Sequence, residues 1–126
     1  MIEGALFGEE IQEDKKKILG QIKLLNLGCG NSIICEDMYD SGYKQIYNMD
    51  ISEVVINQMK QRNKLLRPQM ICTPFLINYL GETMDVRSMT YQANFFDFIL
   101  DKSTIDALLC GDSAYMNVAL MLKVYF

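Results

Sequence analysis

Residues 25–32 read Leu-Asn-Leu-Gly-Cys-Gly-Asn-Ser, at the end of an apolar run that begins at Ile22 (IKLLNL, residues 22–27). A short apolar run stopped by Gly28-Cys29-Gly30 has the form of a buried strand entering a tight glycine turn. Those glycines let the backbone reverse sharply and let a ligand come against its amides before the next helix begins. Downstream, Ser32 is a natural N-cap, Ile33, Ile34, Met38 and Tyr39 fall at helical spacing, and Gly42 after Ser41 is a natural helix end. The stretch therefore predicts one strand-turn-helix unit.

The alternation continues outward. Gln45 to Met49 (QIYNM) predicts a second strand ending at Asp50. Ser52 then caps a helix with Val55, Ile56 and Met59 on one face and Lys60, Arg62 and Lys64 at its basic end, closed by Pro68. Thr83 to Val86 reads as the end of a third strand, and Phe95 to Leu100 (FFDFIL) as a fourth, closed by Asp101. Ser103 to Leu109 begins a helical stretch, Gly111-Asp112-Ser113 interrupts it, and Ala114 to Val124 resumes it, with Met116, Leu120 and Met121 expected in the core. Strands alternating with helices imply an α/β fold: a Rossmann-like, doubly wound, mostly parallel sheet of about four strands with flanking helices. Residues 1–21 read as a polar N-terminal lead-in, a helix or mobile segment ending at Gly20, and residues 22–126 as the domain proper.

Bulk properties narrow the chemistry. The 126 residues contain no histidine and four cysteines without a C-x-x-C pair, which removes the usual zinc frameworks and every histidine-based triad. No metal is expected. The net charge is −4, and apart from Lys15-Lys16-Lys17 the basic residues are scattered, so no stripe recruits nucleic acid. The acidic N-terminus lacks the pattern of a secretion signal and no apolar stretch is long enough to span a membrane, so a cytoplasmic protein with reduced thiols is expected.

Asp50 follows Gly28 by 22 residues and ends the second strand, where a carboxylate accepts hydrogen bonds from the ribose hydroxyls of a bound nucleoside. The competing reading gives the glycines a purely conformational role and makes Asp50 a cap for the Ser52 helix. The turn lacks the third glycine that brings a helix close to a pyrophosphate, which favours S-adenosyl-L-methionine, a sulfonium cofactor without phosphate, over a nicotinamide dinucleotide. Asp85 ends the third strand at the same sheet edge, positioned to accept from an adenine amino group, with Val86 as an apolar wall. The alternative for Asp85 is a solvated turn acid. Asp101 and Lys102 arrive at that edge from the fourth strand, and Asp101 is the candidate for orienting an incoming amine; helix capping is its alternative role, and for Asp106 capping is the preferred one.

Taken in order, Leu27 to Ser32 (LGCGNS), Asp50-Ile51-Ser52, Arg67-Pro68-Gln69-Met70, Met84-Asp85-Val86-Arg87 and Asp101 to Leu108 (DKSTIDAL) resemble the eukaryotic methyltransferase-like group that includes lysine methyltransferases of translation elongation factor one alpha. The resemblance runs from about Ile22 to Lys123. It implies S-adenosyl-L-methionine bound by Gly28, Cys29, Gly30, Asn31, Asp50, Ile51, Asp85, Val86 and Asp101, with Asp101 and Lys102 as the catalytic pair. The implied substrate is a protein lysine or amine, with a translation factor as the candidate carrier. The sequence departs from the group in three places: no tryptophan or tyrosine precedes the glycine turn, Ile71 to Gly81 is an extra stretch, and Ser103 stands where the group usually has glycine. A complete fold of this class takes on the order of 200 residues, so an unclosed sheet edge and exposed apolar helix faces are expected here. A catalytically inactive, partner-binding module is the alternative function.

Overall fold

The computed structural model describes residues 3–67 and 82–123. Its elements run α1 (Glu3–Leu19), β1 (Lys23–Leu27), α2 (Ile34–Asp40), β2 (Gln45–Asp50), α3 (Glu53–Asn63), β3 (Glu82–Thr83), a 3-10 turn (Val86–Ser88), β4 (Phe98–Asp101), α4 (Thr104–Leu109) and α5 (Ala114–Leu122). The strands form one sheet in the order β3-β2-β1-β4, and every pairing is parallel. Pairing of Leu24 with Ile46 and of Leu27 with Met49 sets the register between β1 and β2. Asp97 locks β4 to the start of β1: its amide donates to the Lys23 carbonyl at 2.9 Å and its carboxylate accepts from the Lys23 amide at 2.9 Å.

Helices cover both faces of β1 and β2, which is why these strands are near-continuously apolar instead of alternating. On one face Leu24 and Ile46 pack with Cys35 and Tyr39 of α2. On the other, Leu25, Leu27, Tyr47 and Met49 pack with Met121 of α5, joined by Ile105 and Leu108 of α4. The first face carries one polar layer, where the buried Asn26 donates to Asn48 Oδ1 at 3.1 Å and to Cys35 Sγ at 3.0 Å. The doubly wound arrangement expected from the sequence is therefore present.

Several local expectations change. The lead-in is a regular helix up to Leu19. Ile33, not Ser32, is the N-cap of α2; Ser32 Oγ instead accepts from the Ile34 amide at 3.3 Å, a local turn that starts the helix one residue later. Ser41 is the C-cap and Gly42 follows it at φ 118°, a conformation open to glycine. Ser52 caps α3 as expected, and Ile56 and Met59 are buried, but α3 ends at Asn63, before Pro68. The third strand stops at Thr83, because Asp85 turns the chain into the 3-10 turn by accepting from the Arg87 amide at 2.8 Å. The fourth begins only at Phe98: Phe95 and Phe96 leave the strand to stack edge-on against Tyr47 and each other. In α5 Met121 is fully buried, whereas Met116 is 62% exposed. Residues 68–81, with Pro68, Gln69, Met70 and the Ile71–Gly81 stretch, lie outside the described residues, as does Val124.

Candidate functional site

The carboxyl ends of the parallel strands meet around the glycine turn. Gly28 sits at φ 57° and Gly30 at φ 53°, both in the left-handed region that glycine adopts without penalty. The two glycines serve different ends. A Cβ on Gly28 would stand 2.2 Å from Thr104 Oγ1, and that hydroxyl donates to the Leu27 carbonyl at 3.0 Å, so Gly28 lets α4 dock against the end of β1. A Cβ on Gly30 would meet nothing within 4 Å, which leaves space over the turn for another molecule.

Asp50 binds the turn to the next helix. One carboxylate oxygen accepts from the Gly30 amide at 3.0 Å and the other from the Ser52 amide at 2.9 Å. Each oxygen retains a lone pair, so the group remains able to accept from a ligand hydroxyl. Cys29 turns the other way, into a cluster with Ile56 and Met59. Burial pushes its thiol up to about 11, reinforced by the negative charge of Asp50, so the thiol is neutral at physiological pH. The Asn31 side chain is solvent-exposed, and its carbonyl accepts from Arg62 at 3.4 Å.

Beside the turn lies a cleft of about 400 Å³, within the roughly 300–1,000 Å³ of small-molecule sites. Gly28, Asp50 and Ile51 form one side, Met84 to Arg87 a second, and Lys102, Ser103, Thr104, Ala107 and Leu108 a third. Of the residues selected from sequence, the cleft gathers Gly28, Asp50, Ile51, Asp85, Val86 and Lys102. Cys29, Gly30, Asn31 and Asp101 are not among its walls.

Asp85 and Asp101 are committed differently from the sequence expectation. Arg87 grips the Asp85 carboxylate through Nε and Nη2, at 2.9 Å to Oδ1 and 2.5 Å to Oδ2, and this guanidinium holds the Asp85 carboxyl below the usual carboxylate range. Asp101 accepts from the Thr104 amide at 3.0 Å and the Ile105 amide at 3.2 Å, so it caps α4, the competing role weighed for it above. Lys102 makes no ion pair or hydrogen bond among the described residues, and with Arg87 it gives the cleft wall two cations. Sequence reasoning passed over Met84, Arg87, Ser103, Thr104, Ala107 and Leu108 as cleft residues. A signal existed for Arg87, two residues beyond Asp85 in a turn, and for Thr104, at the first helical position after the strand-end acid.

The family model for a methyltransferase domain matches residues 25–123. The human and cattle proteins named eEF1A lysine and N-terminal methyltransferase are each 47% identical over 97 residues, covering 77% of this chain and 13% of theirs. The mouse protein named EEF1A lysine methyltransferase 4 is 32% identical over 97 residues, covering 77% of this chain and 34% of that relative. The chain thus spans only a minor part of the length of the curated relatives it matches.

Proposed function

Because the chain belongs to the methyltransferase domain family, we propose that its cleft binds S-adenosyl-L-methionine and serves methyl transfer to an amine of a protein, a lysine side chain or a chain N-terminus. The observation that carries this reading is the convergence of Gly28, Asp50 and Met84 to Arg87 on one cleft at the carboxyl ends of parallel strands, where open α/β sheets bind ligands. The open space over Gly30 fits a ligand lying against the turn, and the remaining lone pairs of Asp50 fit a ribose diol. Bound there, the cofactor supplies an electrophilic methyl group on a sulfonium.

Each residue then has a bounded task. Gly28 and Gly30 admit the amino-acid portion of the ligand to the backbone. Asp50 accepts from the ribose while its amide bonds keep the turn closed. Ile51, Met84 and Val86 supply apolar contact to the base, and Asp85 and Arg87 the polar rim beside it. Lys102, an exposed residue of the cleft wall that leads into α4, is assigned to the acceptor side. No proton-transfer residue is needed inside the cleft beyond whatever frees the acceptor amine, since methyl transfer depends chiefly on in-line placement. By analogy with the named relatives, the substrate is eEF1A or a protein like it. Among the described residues no helix is long and apolar enough to cross a membrane.

Titration of S-adenosylhomocysteine into the chain by calorimetry tests this reading. Saturable binding that is lost in Asp50→Ala supports it; a folded chain that takes up no ligand would sink it. A second reading, a partner-binding module without turnover, is favoured by one observation: Asp101, the expected acceptor-side carboxylate, caps α4 and is not among the cleft walls. Transfer of labelled methyl groups to purified eEF1A separates the two.

A further inference from the structure

Against the glycine turn, and not among the cleft walls, lies a charged cluster that the cofactor reading does not use. Glu36 of α2 is 7% exposed and Asn63 of α3 is fully buried. Burying a carboxylate is tolerated only when its oxygens are paired. Here Glu36 Oε1 accepts from Arg62 Nε at 2.5 Å and from Asn63 Nδ2 at 2.9 Å, while Arg67 Nη1 stands 4.0 Å from the other oxygen. Arg67 is otherwise engaged with Asp40 and with Asn63 Oδ1, so it serves the α2–α3 contact.

Arg62 does something more. Its planar fork, oriented by Glu36 through Nε, sends Nη2 to the Ser32 carbonyl at 3.2 Å and Nη1 to the Asn31 carbonyl at 3.4 Å. These are the two residues immediately after Gly30, whose amide is tied to Asp50 at 3.0 Å. The Cys29 amide donates to the Met49 carbonyl at 2.9 Å, and beyond it side chains hold the turn at two points: Asp50 takes an amide at the end of β2, and Arg62 gives to carbonyls from α3. The Cys29 side chain, packed against Ile56 and Met59, anchors the middle of the turn; at Gly30, with φ 53° and open space above it, and at the two residues that follow, the side-chain bonds to the backbone come from Asp50 and Arg62.

We propose that Arg62, aimed by the buried Glu36, is a positioning residue that holds the glycine turn in the shape the cofactor requires. The proposal rests on reading the cleft as a cofactor site. A lysine at this position keeps a cation for Glu36, but a single ammonium cannot reproduce a fork that bonds a carboxylate and two successive carbonyls at once. Arg67→Lys is the matched control, since Arg67 belongs to the same cluster and touches no part of the turn.

The test pairs calorimetry with backbone hydrogen exchange on the wild-type chain, Arg62→Lys and Arg67→Lys. The expected result is that Arg62→Lys weakens S-adenosylhomocysteine binding by about five- to twentyfold, with faster exchange of the Gly30 and Ser32 amides and a urea midpoint that falls no further than that of Arg67→Lys. Arg67→Lys should leave the dissociation constant and those two amides unchanged, even where it lowers the midpoint. Wild-type affinity and unchanged exchange in Arg62→Lys would overturn the proposal, as would equal weakening by Arg67→Lys, which would mark the cluster as structural only. If even the wild-type chain binds no ligand, the cofactor reading fails; exchange at Gly30 and Ser32 then still reports whether Arg62 shapes the turn.

Discussion

β1 and β2 each bury four consecutive residues, Leu24 to Leu27 and Ile46 to Met49, whereas β4 buries none and leaves Phe98 60% exposed. The helices repeat this contrast. α2 and α3 each bury three residues, α4 buries none, and α5 buries only Met121. The inner strands have hydrogen-bonded neighbours on both sides and helices on both faces, whereas β4 pairs only with β1 among the described residues. An open apolar groove of about 340 Å³ runs along β4 between Leu24, Ile34, Met38 and Tyr43. Stability is therefore concentrated in the β1–β2 half, and the cleft lies on the seam, with Gly28 and Asp50 from the firm side and Lys102 to Leu108 from the looser one. A ligand that bridges the seam should order the looser half, since binding to the folded state alone stabilises it by mass action.

The largest effect should separate the two halves outright. Leu25 is fully buried between the sheet and α5, so Leu25→Ala should cost about 2–5 kcal/mol by urea denaturation. Phe98→Ala removes an aromatic ring that is mostly in water and should change stability by about 0.5 kcal/mol or less. Equal losses in both variants would erase the distinction between a firm and a loose half.

The seam itself comes next. Gly28→Ala combines φ 57° with a Cβ placed 2.2 Å from Thr104 Oγ1, and should cost roughly 1–3 kcal/mol. Thr104→Ala gives up the bond to the Leu27 carbonyl, worth about 1 kcal/mol. Removing the hydroxyl also removes the clash, so the double variant should be less destabilised than the sum of the singles. Strict additivity would mean that α4 does not dock through this contact and that the φ of Gly28 alone accounts for its loss.

How much of this was legible in the sequence follows the same division. The β1-turn-α2-β2-α3 half was readable because its apolar runs, its glycines and Ser52 all act locally and agree with one another. The commitments of the acids were less so. Asp50, Asp85 and Asp101 were placed at strand ends, but the donor that each receives depends on where the chain turns next. Asp85 is captured because the chain folds into a 3-10 turn that brings Arg87 back over it, and Asp101 because α4 starts three residues on. Phe95 and Phe96 read as strand by hydrophobicity, yet their rings gain more from the edge-on cluster with Tyr47 than from extending β4. The Glu36–Arg62 contact joins residues 26 positions apart, a tertiary pairing that no local pattern announces.

The smallest effect probes the looser half at two matched serines. Ser103 at φ 72° and Ser113 at φ 58° stand at the N-caps of α4 and α5, both in the left-handed region, and neither hydroxyl makes a capping hydrogen bond. Each therefore bears the cost of a left-handed L-residue, roughly 1–2 kcal/mol, without the benefit that usually favours serine at a helix start. Glycine relieves that strain but has more chain entropy to lose on folding, about 0.5–1 kcal/mol. The net gain should be about 0.5 kcal/mol for Ser103→Gly and for Ser113→Gly, read as a small rise in urea midpoint. Their effects on binding should differ, because Ser103 lines the cleft and Ser113 does not. Removing the Ser103 side chain should alter S-adenosylhomocysteine affinity, whereas Ser113→Gly should leave it unchanged. A loss of stability at both positions would show that the backbone between β4 and α5 relaxes away from these angles in solution, and the looser half would then be looser than its helices suggest.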